Sequence, residues 1–194
     1  SNTVYDAYSE AEKRDMENSE GAKSDGYSNQ TERGKKYAGF VASIGLGKPF
    51  GDDTEGINIG PNFEATLFTS VSRSVALGAM VGYSRWGLDM SDFNRYYGTD
   101  LSATFSYLDM EVLLRFFSKN EMNAFFFQAG AGFFNGTVTA EYNGDTDSDS
   151  EASPGISFAT GLTASRIELK PSIKIIFEND ETLKWFTFNF GVLF

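Results

Sequence analysis

The 194-residue sequence has no cysteine, no histidine and only four prolines. Without cysteine there is no disulfide framework, no thiolate nucleophile and no cysteine metal site. Without histidine there is no Ser-His-Asp triad, no zinc site of the usual ligand set and no imidazole base. Positive charge is also scarce: 16 Lys and Arg stand against 27 Asp and Glu, a formal net charge of −11. That balance argues against nucleic acid, whose phosphates demand a basic surface. Long apolar runs are missing as well. A transmembrane helix needs about 18 consecutive apolar residues, and polar residues or glycine interrupt every apolar stretch here. The low mean hydropathy would suit a soluble protein. It also suits a membrane β-barrel, in which every second residue faces a polar interior.

Aromatics and glycine are abundant: 19 Phe, nine Tyr, two Trp and 20 Gly. They are unevenly placed. Residues 1–36 contain Tyr5, Tyr8 and Tyr27 but no Phe, Trp, Leu or Ile, and are dense in Glu, Asp, Lys, Ser and Asn. Such a segment cannot bury enough apolar surface to offset its ordering entropy. It reads as a polar, flexible extension, with a weak helix over 6–23 where Ala, Glu, Lys, Arg and Met dominate. The chain begins at Ser1, as a processed secreted protein or an artificially trimmed chain would.

From Tyr37 the texture changes to a period of two, the signature of strands with one apolar face. Phe40, Ala42, Ile44 and Leu46 oppose Gly39, Ser43, Gly45 and Gly47, with Val41 the exception. Phe63, Ala65 and Leu67 oppose Glu64, Thr66 and Phe68; Leu77, Ala79, Val81 and Tyr83 oppose Ala76, Gly78, Met80 and Gly82. Leu108, Met110, Val112, Leu114 and Phe116 oppose Tyr107, Asp109, Glu111, Leu113 and Arg115. Phe125, Phe127, Ala129, Ala131 and Phe133 oppose Phe126, Gln128, Gly130 and Gly132. A weaker run sets Ile156, Phe158, Thr160 and Leu162 outward. Ile167, Leu169, Pro171, Ile173, Ile175 and Phe177 oppose Glu168, Lys170, Ser172, Lys174 and Glu178. The last run sets Phe186, Phe188, Phe190, Val192 and Phe194 against Thr187, Asn189, Gly191 and Leu193.

These are about eight strands, each near the length a tilted membrane strand needs. Short connections at Arg73, 119–123 and Ser165 alternate with long ones at 48–61, 87–100 and 135–155; the last connection, at 179–184, is short. Short turns on one rim and long loops on the other mark an outer-membrane barrel. An even strand number puts both ends of the barrel on the short-turn rim, in the periplasm. Pro49, Pro61 and Pro154 fall in or beside long loops; Pro171 does not, and is assigned to a bulge. A soluble barrel or sandwich would invert the faces. Phe, Leu and Ile at almost every apolar position would then crowd the core, and faces rich in Gly, Ala and Ser would meet water. The expected architecture is all-β: a closed antiparallel transmembrane β-barrel over 37–194 with a polar extension over 1–36.

The inward face carries Glu64, Asp109, Glu111, Arg115, Glu168, Lys170, Lys174 and Glu178. Unpaired ions in a confined lumen are costly, so acids and bases should pair across it. One reading is an ion network that fills the lumen, since eight strands enclose little more than side chains. The other is a narrow polar pore with Arg115–Glu111 and Lys170–Lys174 as its plug. Asp145, Asp147, Asp149 and Glu151 form an Asp-x-Asp-x-Asp run like the start of a calcium loop. The match then fails: Ser150 stands where that loop needs Gly, and Ile156 where it needs Glu. The run reads as a solvated acidic tip, with a loose divalent-cation site as the weak alternative. Tyr83, Trp86, Phe133, Trp185 and Phe186 at one rim, and Phe116, Phe117, Phe125 and Phe194 at the other, read as interfacial girdles.

The chain ends Trp185-Phe-Thr-Phe-Asn-Phe-Gly-Val-Leu-Phe194. Phe186, Phe188, Phe190, Val192 and the terminal Phe194 resemble the C-terminal targeting signature of Gram-negative outer-membrane proteins. The region 37–194 resembles the small eight-stranded families typified by outer-membrane proteins A, W and X. The resemblance implies an outer-membrane location, contact with outer-membrane lipid and lipopolysaccharide, and insertion by the barrel assembly machinery. Residues 1–36 depart from the simplest members, in which the first strand starts close to the mature N-terminus, and offer a segment for a periplasmic partner. Enzymes of this architecture (lipid A deacylases, palmitoyl transferases, phospholipases, omptin proteases) use a catalytic His, which this chain lacks. No enzyme and no cofactor is expected. Three roles remain: a structural anchor of the envelope, a small porin-like conduit for polar or apolar solutes, and surface binding through acidic loops.

Overall fold

A computed structural model describes residues 38–51, 54, 56–72, 74–118, 124–178 and 181–194. The extension at 1–36 and the turn centres at Arg73, 119–123 and 179–180 lie outside the described residues. Eight strands follow in order: β1 (Ala38–Phe50), β2 (Gly60–Ser70), β3 (Val75–Leu88), β4 (Leu101–Phe117), β5 (Ala124–Tyr142), β6 (Asp145–Ala164), β7 (Ile167–Glu178) and β8 (Glu181–Leu193). A short helix, α1 (Ser91–Tyr97), joins β3 to β4. Each strand pairs antiparallel with the next, and β8 pairs with β1, so the barrel is closed. The seam is tied at its end by the Phe194 N–H donating to the Phe40 carbonyl, 2.9 Å. The first and last strands therefore begin and end on one rim, the turn rim, with the connections after β2, β4 and β6.

The strands alternate because closure gives each residue only two destinations. Ile44, Leu67, Val81, Val112, Phe127, Phe158, Ile173 and Phe188 are exposed on the exterior. Glu64, Thr66, Asp109, Glu111, Arg115, Gln128, Lys170, Lys174 and Asn189 are buried in the lumen. An apolar exterior around a polar interior is stable only where lipid covers the outside. Val41, which broke the pattern of the first strand, is lumenal and packs over Gly191.

Three expectations are corrected. The segment 135–155 is not a loop but the far part of a β5–β6 hairpin, including Pro154, paired in one register from Tyr142–Asp145 down to Ala124–Thr163. Its two-residue turn is Asn143-Gly144, both at positive φ (51° and 88°). Asn-Gly is the strongest short-range signal for such a turn, whose handedness matches strand twist. Second, Pro171 makes no bulge. β6 and β7 keep the same register on either side of it (Ala159–Ser172, Leu162–Leu169), and only the intervening ladder pairs are lost. A proline lacks the N–H the ladder needs but inserts no extra residue. Third, Trp86 and Trp185 belong to no girdle: both are buried in the lumen. Phe117 also sits on the lumenal parity of β4 and packs against Phe126 at a centroid distance of 6.4 Å. Tyr83, Phe133, Phe186, Phe116, Phe125 and Phe194 are on the exterior and exposed.

The far parts of β4, β5 and β6 project beyond the rim opposite the turns, and there the faces exchange character. Outward positions become Ser102, Thr104 and Ser106 on β4, Asn135, Thr137 and Thr139 on β5, and Thr146, Ser148 and Ser150 on β6. Inward positions become Leu101, Ala103 and Phe105 on β4 and Val138, Ala140 and Tyr142 on β5, whereas β6 keeps charge inward with Asp145, Asp147, Asp149 and Glu151. Lipid no longer covers the exterior at this level, so the polar side chains face out. Replacing Gly144 by Val should cost about 1–2 kcal/mol, the penalty of a left-handed backbone for a side-chain-bearing residue. The expected result is faster amide exchange across 138–149 with unchanged exchange in the barrel wall.

Candidate functional site

The lumen is filled in three tiers. Nearest the turn rim, Arg115 is buried at 2% exposure. Its guanidinium donates to both carboxylate oxygens of Glu168 (2.6 and 3.2 Å) and twice to Gln128 Oε1 (3.0 and 2.7 Å). The rings of Phe68 and Phe126 each lie 3.9 Å from Arg115 Cζ. A planar cation suits this place because it bonds in its plane and stacks on its faces.

In the middle tier, Lys174 of β7 reaches across the barrel. Its Nζ lies 2.7 Å from Asp109 Oδ2, 3.0 Å from Glu64 Oε1 and 3.9 Å from Glu111 Oε1. Lys170 pairs with the other oxygen of Glu64, and the Ser157 hydroxyl donates to Glu111. Beside these ions runs a neutral chain: Ser84 donates to Asn62 (2.5 Å), Asn62 to Asn189 (2.7 Å) and Asn189 to Thr187 (3.3 Å). Ser172 and Thr187 share a further hydrogen bond of 2.5 Å. Glycines make room for the ions. A Cβ on Gly82 would sit against the Asp109 carboxylate, and one on Gly130 against Glu111 and Ser157.

Toward the other rim the lumen is closed by aromatics. Trp86, Trp185, Tyr107, Phe134 and Ile176 form one buried cluster, with Ile57, Phe105 and Leu183 against it. Trp185 is the hub, 5.4 Å from Trp86, 5.1 Å from Tyr107 and 5.7 Å from Phe134 between ring centroids. The Trp86 indole N–H donates to the Gly47 carbonyl at 2.9 Å.

Of the eight lumenal ions read from the sequence, seven lie in the two ionic tiers. Glu178 stands apart, at the aromatic rim, where it accepts a hydrogen bond from the Tyr107 hydroxyl (3.2 Å). The expected plug pairs are not the ones formed. Arg115 binds Glu168 and not Glu111, and Lys170 and Lys174 meet through Glu64. The neutral partners Asn62, Ser84, Gln128, Ser157, Thr187 and Asn189 were not singled out as site residues, nor was the aromatic cap. Their signal was the same inward parity that exposed the ions.

Asp145, Asp147, Asp149 and Glu151 occupy alternate positions of β6, opposite Tyr142, Ala140, Val138 and Gly136. Alternate strand residues stand about 6.6 Å apart in a line, which spreads the carboxylates where a calcium loop would gather them. Among the described residues no three carboxylates converge as a metal site. On β8, Phe186, Phe188, Phe190 and Val192 all face the exterior, and the Phe194 ring lies 5.9 Å from that of Phe40.

No protein-family model matches the sequence, and no curated protein matches it. Solved structures do match in fold. The attachment invasion locus protein Ail of Yersinia pestis, in complex with the heparin analogue sucrose octasulfate, aligns with a TM-score of 0.58 at 12% identity. That alignment covers 81% of this chain and 97% of Ail. A major outer membrane protein of Thermus thermophilus aligns at 0.54 and 10% identity, over 81% of this chain and all of that one. Neisserial surface protein A aligns at 0.50 and 11% identity, over 80% and 95%. The chain thus has the fold of small bacterial outer-membrane β-barrels, the fold its sequence resembles.

Lys174→Met would leave Asp109 and Glu64 facing each other without their shared cation. A loss of about 3–5 kcal/mol is expected, as for one partner removed from a buried pair. Adding Asp109→Asn to Lys174→Met should recover part of it, measured by urea unfolding in lipid vesicles.

Proposed function

We propose that this protein is a non-conducting, non-catalytic anchor of the bacterial outer membrane that holds a β-sheet beyond the bilayer. The observation that carries this reading is the double closure of the lumen. Water or a solute crossing the barrel would have to part the Lys174 ion cluster and then the Trp86–Trp185–Tyr107–Phe134 cap. Each closure is packed from opposite walls, and opening either would strand buried charges or buried aromatic surface. In this reading the exterior phenylalanines meet acyl chains, and the projecting hairpin meets lipopolysaccharide headgroups and the medium. The turn rim, where β1 begins and β8 ends, faces the periplasm, where residues 1–36 would meet a partner. The C-terminal aromatic strand serves the barrel assembly machinery during insertion.

A second role is favoured by one observation: the stretch Asp145–Ala152 of β6 is exposed throughout, on a hairpin longer than closure of the barrel requires. A surface-binding role fits that projection. The heparin analogue bound by Ail does not carry over, because a polyanion would meet four carboxylates on β6.

The purified protein, refolded into a planar bilayer with folding checked by heat-modifiable gel mobility, should pass no resolvable current. Reproducible conductance steps that shift in an Arg115→Ala variant would overturn the anchor in favour of a conduit.

A further inference from the structure

The lumen does not balance its own charge. Among the described residues the buried ionic side chains are Glu64, Asp109, Glu111 and Glu168 against Arg115, Lys170 and Lys174. Four carboxylates against three cations leave one negative charge over. A buried charge without a counter-charge is so costly that the group is neutralised instead.

The pairing shows where the excess lies. Arg115 donates to both oxygens of Glu168, so that tier is neutral. Lys170 meets one oxygen of Glu64, and Lys174 lies 3.0 Å from the other. Lys174 is also 2.7 Å from Asp109 Oδ2. Its distance to Glu111 Oε1 is 3.9 Å, too long for a hydrogen bond. Glu111 is therefore the one acid of the four with no cation in hydrogen-bond reach, and the Ser157 hydroxyl donates to its other oxygen. Two buried carboxylate oxygens are left with neither a donor nor a close ammonium: Glu111 Oε1 and Asp109 Oδ1. They belong to neighbours on one face of β4. No other charge faces them. At this level β3, β5, β6 and β8 turn the neutral Met80, Gly130, Ser157 and Asn189 inward, and the buried side chain of β1 is Val41.

A metal ion does not suit this place. No three carboxylates among the described residues converge as a metal site. Glu111 is also packed so closely that a Cβ on Gly130 would sit against its carboxylate. A proton needs neither a coordination shell nor room.

We infer that Glu111 is a buried proton-binding site: at neutral pH it is an uncharged carboxylic acid whose Oε1 proton is offered to Asp109 Oδ1. Three carboxylates then face three cations. Closing the barrel takes up one proton, since a glutamate exposed in the unfolded chain is ionised above about pH 5. The inference concerns the same lumen as the anchor reading but has its own measurement: bilayer conductance reports that reading, and the spectrum below reports this one.

The test uses the full chain folded in a glycoside detergent, which has no carbonyl group of its own. A protonated carboxyl absorbs in the infrared above the amide band, where carboxylates do not, so the protein should show one such band at neutral pH. Glu111→Gln, which keeps the shape and a donor, should abolish the band, with folding checked by heat-modifiable gel mobility. Asp109→Asn should abolish it too, because the remaining charges balance and Glu111 ionises. Urea unfolding at a series of pH values gives a second readout. The folded barrel holds a proton that the unfolded chain releases, so unfolding becomes easier as pH rises. The ratio of the wild-type to the Glu111→Gln unfolding constant should grow about tenfold per pH unit from about pH 5 upward, until the folded barrel itself loses the proton. The chain has no histidine to titrate across that window. Absence of the band, its persistence in either variant, or a ratio that does not change with pH would each overturn the proposal.

Discussion

The constraint on which the rest of the structure depends is the position of Lys174. Its ammonium is almost fully buried, and it is held from β2 by Glu64 and from β4 by Asp109. A cation taken out of water is tolerated only when carboxylates meet it closely. Those carboxylates come from strands more than 60 residues away in sequence, so they meet the lysine only when the barrel is closed. In the two ionic tiers four carboxylates face three cations, and these ions rely on partners across the lumen. Closure therefore satisfies the charges as well as the sheet edges, and a partly paired barrel would leave both unmet.

Size follows from the same requirement. An eight-stranded barrel is narrow enough for a lysine on one wall to touch a glutamate on the opposite wall. The glycines at 82 and 130 yield their side-chain volume to Asp109 and Glu111. Above the ions the filling changes from charge to aromatic surface, with Trp185 in contact with three other rings. The wall then continues as the projecting sheet of β4, β5 and β6, where apolar side chains of β4 and β5 move to the inward face and β6 sets Asp145, Asp147, Asp149 and Glu151 beside them. One strand thus carries two opposite patterns at one parity: on β4, Leu101, Ala103 and Phe105 are followed inward by Asp109, Glu111 and Arg115. The exchange marks where the apolar surroundings end.

Much of this was legible in the sequence because a strand in a barrel has only two faces. Parity alone turned all eight of those ions inward, and applied without exception it would also have turned Trp86 and Trp185 inward. The rim assignment failed because it weighed the preference of tryptophan for interfaces above the register of its own strand. The hairpin was misread for a related reason. Thr137 to Tyr142 and Thr146 to Ser150 lack an apolar outward face, so they resembled a loop, although Asn143-Gly144 announced the turn.

By itself, then, the sequence determined the fold class, the strand number, the lipid-facing surface and the identity of the lumenal charges. Each of these follows from local alternation and from composition. Only the tertiary structure decided which acid meets which base: Arg115 with Glu168 and not Glu111, Lys174 with Asp109 and Glu64 together, Glu178 apart on Tyr107. Partner choice across a lumen depends on the stagger and tilt of the strands. That height offset accumulates around the whole ring and is written in no single segment. The unpaired side of β6 has the same origin, since β7 pairs with it only from Gly155 onward while the hairpin runs on to Asp145.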